Sequence, residues 1–230
     1  MELSKRALSI SPSSTLVIDA KAKKMRLEGV DVIGFGAGEP DFDTPEHIKE
    51  AAIKAIKEGF TKYTPASGML ELKEAVCRKF KKDNGLEYKP ENIIISNGAK
   101  HSLANIFQAI CDPGDEVIIP SPCWVSYPEM IKMASGKPIK LKATEEEGFK
   151  PSIDNFLNAI TEKTKAIIIN SPSNPTGMVY TEEELREIAK IAVEKKIYII
   201  SDEIYEKLIY DNLKHVSIAS FNEEIKDLTI

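Results

Sequence analysis

Hydrophobic positions follow two rhythms along this chain, and the change falls just after Asn84-Gly85. Before that point, apolar residues recur at helical spacing. A helix is expected over 19–28, followed by an irregular glycine- and proline-rich loop at 34–45, GFGAGEPDFDTP. Thr44-Pro45-Glu46 should open a second helix, with a cap, a proline in the first turn and an early acid. It runs through HIKEAAIKAIKE and stops at Gly59. TKYTPASG (61–68) is another loop, and an amphipathic helix should fill 70–83 until Asn84-Gly85 ends it.

Beyond residue 85 short apolar runs alternate with helical stretches. Strands are expected at 92–96 (NIIIS), 116–120 (EVIIP), 137–141, 165–170 (KAIIIN) and 197–201 (IYIIS). Helices are expected at 99–110, 127–134, 152–160 and 181–195. Thr181 and Glu184 have capping-box spacing. Continuous rather than alternating apolar strands between helices predict an α/β fold of three layers, with a mainly parallel central sheet covered on both faces. No internal repeat or low-complexity linker interrupts the pattern. EIKDLTI (224–230) looks like a strand just begun, so the domain is expected to continue past it.

Composition narrows the classes. The 230 residues suffice for one large domain, or one domain and a small segment. Hydrophobic residues make up 42% and charged residues 29%, as in ordinary globular chains. The formal charge of -5 lacks the basic footprint of a nucleic-acid or anionic-membrane partner. Cys77, Cys111 and Cys123 form no CxxC pair, and His47, His101 and His215 are far apart, which disfavours structural zinc. The N-terminus has no apolar core of a secretory signal, and no apolar run reaches the roughly 20 residues of a membrane span. The expectation is a cytoplasmic enzyme with no membrane or nucleic-acid partner and no metal.

Four segments carry candidate chemistry. GFGAG (34–38) lacks the spacing, the preceding strand and the following helix of a dinucleotide loop. SNGAK (96–100) leads into a helix and reads either as an anion cradle or as an ordinary turn. NSPSNPTG (170–177) either fixes the amide of Asn174 or is a rigid exposed turn. In SDEIY (201–205), Asp202 is either a ligand group at a strand's C-terminal end or a helix cap. Trp124, the single tryptophan, either stacks on a flat ligand or packs in the core.

Taken in order, AGEPDFDTP, KYTPASG, SNGAKHSL, DPGDEVIIPSPCWVSYPEM, NSPSNPTG and SDEIYEKLIY resemble the fold-type I enzymes dependent on pyridoxal 5'-phosphate (PLP). Among these the resemblance is to class I/II aminotransferases, and most closely to their bacterial and archaeal aspartate aminotransferase branch. It implies that Gly98, Ala99 and Lys100 take the cofactor phosphate through backbone N–H groups. It puts Trp124 on the pyridine ring, Asp202 at the ring nitrogen, and Asn174 and Tyr205 near the phenolic oxygen. Tyr63 resembles the tyrosine that reaches the phosphate of a neighbouring subunit. Gly38, Trp124 and Asn174 would face the substrate, with Thr15 near the substrate mouth. Asp202, Tyr205 and Trp124 are the residues on which catalysis is expected to depend.

The resemblance also divides the chain. Residues 1–44 would contribute to a small domain and the substrate mouth, and 45–230 would form an incomplete PLP-binding large domain. The Schiff-base lysine and the arginine for the substrate's α-carboxylate are expected beyond Ile230. Lys207, Lys214 and Lys226 lack the lysine's Ser-Lys context and read as surface residues. The implied activity is amino transfer from an L-amino acid, aspartate first, to 2-oxoglutarate, by a homodimer. The alternatives are another aminotransferase specificity, a β-lyase on the same scaffold, or a non-catalytic aminotransferase-like domain. The last would need a DNA-binding module ahead of motifs that already begin by residue 34.

Overall fold

A computed structural model describes residues 3–36, 38–39 and 42–230. Positions 37, 40 and 41, within the loop expected at 34–45, lie outside the described residues. The chain divides into two compact units: Pro12–Met69, and residues 3–11 together with Leu70–Ile230.

The larger unit starts with a single helical turn, α1 (Lys5–Leu8), capped by the Ser4 hydroxyl. In the smaller unit, α2 (Ser14–Leu27) begins earlier than hydrophobic spacing suggested. Ser13 accepts the N–H of Leu16 and nucleates the helix ahead of its regular stretch. The next helix, α3 (Glu46–Lys57), starts as expected but without the Thr44 cap. Pro45 occupies the cap position and no side chain bonds to the first turn.

The larger unit is built on strands β1 (Glu116–Ser121), β2 (Lys137–Lys142), β3 (Thr164–Asn170) and β4 (Tyr198–Asp202). They form a sheet in the order β2-β1-β3-β4, every pairing parallel. The helices of this unit are α4 (Leu70–Lys79), α5 (Ala99–Ile110), α6 (Ser126–Met133), α7 (Ile153–Ala159), α8 (Glu182–Lys195) and α9 (Glu223–Leu228). Successive strand residues point to opposite faces. Ile118, Ile167, Ile169 and Ile199 therefore pack with Phe156 of α7 and Leu185 and Ile188 of α8. Val117, Ile119, Ala166, Ile168 and Ile200 pack with Leu103 and Phe107 of α5 and Met130 and Ile131 of α6. This is the three-layer α/β arrangement the strand pattern predicted. Each fully buried isoleucine, such as Ile118 or Ile167 at 0% exposure, contributes about 1.5–3 kcal/mol.

Three expectations need correction. The run at 92–96 forms no strand: it leaves a short 3-10 turn, Pro90–Asn92, and finds no ladder partner among the described residues. Ile93 is buried but Ile94 is 70% exposed, so hydrophobicity without a neighbouring strand does not make one. The helix expected at 70–83 does end at Gly85 in the left-handed conformation, but its last turn, Phe80–Asn84, widens into a π-helix. Most of 224–230 belongs to α9, capped by Asn222 accepting the Ile225 N–H. Only Thr229 and Ile230 behave as a strand. They lie parallel to β4, with Ile230 donating to Ile199 and accepting from Ser201, both at 2.9 Å.

Candidate active site

Because the strands are parallel, their C-terminal ends share one edge of the sheet, where open α/β folds gather ligand groups. There β1 ends at Ser121 and leads into Trp124 and α6, while β3 ends at Asn170 and leads into Asn174. Likewise β4 ends at Asp202 and leads into Tyr205. A continuous set of contacts links these loops. Tyr127 donates its hydroxyl to Asp202 Oδ2 at 2.7 Å, and its ring meets Trp124 edge-on at 5.4 Å between centroids. On the other side, Asn170 donates to the backbone carbonyl of Asp202 at 2.9 Å and accepts the N–H of Asn174 at 2.8 Å.

The electrostatics fix the direction of the central bond. Tyr127 is 2% exposed. Burial, and then the negative field of Asp202, push its phenol well above the ordinary range. It stays protonated and donates, so Asp202 accepts. Asp202 Oδ1 takes the N–H of Ile204 at 3.2 Å. Two carboxylate oxygens offer about four acceptor sites, so a further donor can still be accommodated.

Helix α5 brings the fourth component. Its cap, Gly98, has φ 83° and ψ 164°, a conformation essentially restricted to glycine. The first-turn N–H groups of Ala99 and Lys100 meet no acceptor among the described residues. A 12-residue helix adds a partial positive charge at this end. The Lys100 ammonium lies 5.0 Å from the centre of the Trp124 ring, joining this helix end to the aromatic pair.

The structure therefore brings Gly98, Ala99, Lys100, Trp124 and Asp202 into one connected cluster, with the backbone of Asn174 attached through Asn170. Tyr205 is half-buried on the turn after Asp202, close enough to Tyr127 to contribute to the rise in its phenol. Tyr63 and Gly38 belong to the smaller unit, where both are exposed. Among the three lysines, Lys207 and Lys214 are exposed, whereas Lys226 is partly covered and paired with Glu223 at 3.0 Å. Its ammonium also lies 5.6 Å from the centre of the Tyr88 ring. Sequence reasoning missed Tyr127 and Asn170. The Trp-x-x-Tyr spacing was a usable signal for Tyr127, since a turn into a helix brings residues three apart together, as the Tyr127 N–H donating to the Trp124 carbonyl at 3.2 Å shows.

This set suits PLP on structural grounds. The helix end offers unpaired donors for a phosphate, Trp124 offers an aromatic face, and Asp202 retains acceptor capacity for a protonated ring nitrogen. Among the described residues, the one group with metal-ligating types close together is Glu203, Glu206 and His215. No described helix is long and apolar enough to cross a membrane.

Comparison with known proteins agrees. The family model for aminotransferase class I and II matches residues 30–230. The chain is 58% identical over 228 residues to an aspartate aminotransferase of Bacillus sp. (strain YM-2), covering 99% of this chain and 58% of that protein. It is 56% identical over 230 residues to an aspartate aminotransferase of Bacillus subtilis (strain 168), covering all of this chain and 58% of that protein. A solved Thermus thermophilus aspartate aminotransferase with maleate superposes with a TM-score of 0.95 at 48% identity, covering 100% of this chain and 59% of the other. The chain thus spans somewhat under two thirds of the relatives it matches. With its fold, its strand-end cluster and these likenesses in agreement, the chain belongs to the class I and II aminotransferases, a PLP-dependent family.

Proposed function

We propose that the complete protein transfers the amino group of an L-amino acid, aspartate first, to 2-oxoglutarate. The observation that carries this reading is the Tyr127-supported Asp202 carboxylate at the sheet's ligand edge, connected to the open N-terminus of α5. Its relatives' names point to aspartate as the donor. PLP, when bound, supplies an electron sink for negative charge developing at the substrate's Cα.

Within this reading each residue has a physical task. The N–H groups of Ala99 and Lys100, beside Gly98, hold the phosphate at the helix end. Asp202 would accept a hydrogen bond from the protonated ring nitrogen and so keep the proton on the ring, a charge-assisted bond that deepens the sink. Tyr127 holds Asp202 in place. Trp124 fixes the plane of the ring. Asn174 and Tyr205 donate to the phenolic oxygen, and Asn174, Trp124 and Gly38 face the substrate. Tyr63 serves the phosphate of a second subunit, which makes the working form a homodimer. Residues 1–44 form part of a small domain and the mouth of the site, and 45–230 the PLP-binding domain. The amine that moves the α-proton belongs, by the resemblance, to a Ser-Lys motif after the strand begun at Thr229. The protein is placed in the cytoplasm.

The test is amino transfer by the complete protein with PLP, comparing aspartate with aromatic and sulfur amino acids as donors to 2-oxoglutarate. Glutamate should form fastest from aspartate. Absence of glutamate with aspartate, alongside turnover of another donor, would replace this specificity.

A further inference from the structure

We propose that Glu203 is a positioning residue for the PLP site, setting the aim of Asp202 and Tyr205; this rests on the PLP reading above. Glu203 follows Asp202 directly and is the corner of the turn that carries Tyr205. The turn is closed by two short-range bonds. Ile204 N–H donates to Asp202 Oδ1 at 3.2 Å, and Glu206 N–H donates to the Glu203 carbonyl at 3.0 Å. A rotation at Glu203 therefore changes both the support of the Asp202 carboxylate and the direction of Tyr205.

Close packing does not hold the outer side of this turn. Ile204 is 61% exposed, and Glu203 borders a cavity of about 430 Å³. Hydrogen bonds do the holding. Glu203 Oε1 accepts the hydroxyls of Ser201 and Ser217, each at 2.8 Å, and Oε2 accepts from His215 Nε2 at 2.9 Å. These donors come from β4 and from the segment leading into Ile218 and Ala219, which are buried at 1% and 3% exposure. The carboxylate thus pins the turn to the core from two directions. At the far end of the same turn, Glu206 pairs with Lys79 at 2.6 Å and accepts from Asn84 at 3.2 Å. The side chain of His215 is 9% exposed, so its bond to Glu203 is largely shielded from water. A charge-assisted bond in such a setting is worth more than an exposed one.

Two variants of the complete, PLP-loaded protein test this. Glu203→Gln keeps the shape but replaces one acceptor oxygen with a donor. Ser217→Ala removes a single donor and leaves the carboxylate intact. The readouts are PLP dissociation, the pH midpoint of the bound cofactor's absorbance change, kcat and KM for aspartate, and the melting temperature. Glu203→Gln should weaken PLP binding about tenfold, as expected for losing a bond to a charged group. It should also shift the absorbance midpoint and lower kcat more than it raises KM, and Ser217→Ala should follow in the same direction with smaller effects. If both variants keep the wild-type midpoint and bind PLP within twofold of wild type, even with lowered melting temperatures, Glu203 is a stabilising residue only and the proposal is overturned. A wild-type protein that binds no PLP would overturn the functional reading and this proposal together, which the first arm reveals before any variant is compared.

Discussion

Replacing Tyr127 with phenylalanine removes one oxygen and little else. The ring keeps its buried volume and its edge-on contact with Trp124 at 5.4 Å. What disappears is the 2.7 Å bond to Asp202 Oδ2. A hydrogen bond to a charged group has a net value of about 1.5–3 kcal/mol. Asp202 is partly exposed, so water recovers part of the loss and leaves about 1–2 kcal/mol. That corresponds to about a 5- to 30-fold change in an equilibrium. In the complete protein, Tyr127→Phe should therefore weaken PLP binding and lower kcat/KM by roughly this factor. Its unfolding free energy should fall by a similar amount, about 1–2 kcal/mol, because the bond is already present without PLP and only the apolar packing is retained. An absorbance titration with PLP and urea unfolding of the PLP-free protein give the two numbers. Unchanged PLP affinity in a folded variant would refute the idea that Tyr127 supports the ring-nitrogen carboxylate.

Two other groups give predictions of a different kind. Glu116, 7% exposed at the start of β1, accepts from Lys137 at 2.9 Å and from Thr161 at 2.7 Å. The bond from Lys137, then that from Thr161, holds its carboxyl below the ordinary 4.5. A depressed folded-state pKa gives stability that is complete above that ordinary value and lost as pH falls below it. Glu116→Gln should therefore cost about 1 kcal/mol at neutral pH and show a smaller decline in stability below pH 4.5 than the wild type, measured by urea unfolding at several pH values. An equal decline in both proteins would exclude this role. Burial pushes the Cys111 thiol up to about 11. At pH 8 only about one molecule in a thousand then carries the thiolate, so iodoacetamide should label Cys111 on the order of a hundredfold more slowly than a free thiol. Mass mapping of labelled peptides shows the rate, and labelling as fast as a free thiol would contradict the burial.

Local chemistry made much of the fold legible. The apolar runs of β1, β3 and β4 were clear because strands covered on both faces leave no polar positions. Thr181 and Glu184 marked the start of α8 by a device completed within one helical turn. The failures have two physical causes. The run at 92–96 has strand composition, but strand formation depends on a partner that local sequence does not name. The segment at 224–228 was decided for helix by the Asn222 cap, which a reading based on apolar residues overlooked. In the site, Trp124, Asp202 and the helix end at 98–100 stood out because their residue types suit a flat anionic ligand. Tyr127 did not, since its partner lies 75 residues away and its helix position already explained it. The Glu203 network was hidden for the same reason: His215 and Ser217 approach through the fold, 12 and 14 residues along the chain.

The most direct test of the central claim compares glutamate formation from aspartate and 2-oxoglutarate by the complete, PLP-loaded protein with that of its Asp202→Ala variant. The account predicts robust transfer by the wild type and a loss of at least about a hundredfold in kcat for a variant that still folds. Equal rates in the two proteins, or no transfer by a wild type that holds PLP, would contradict it.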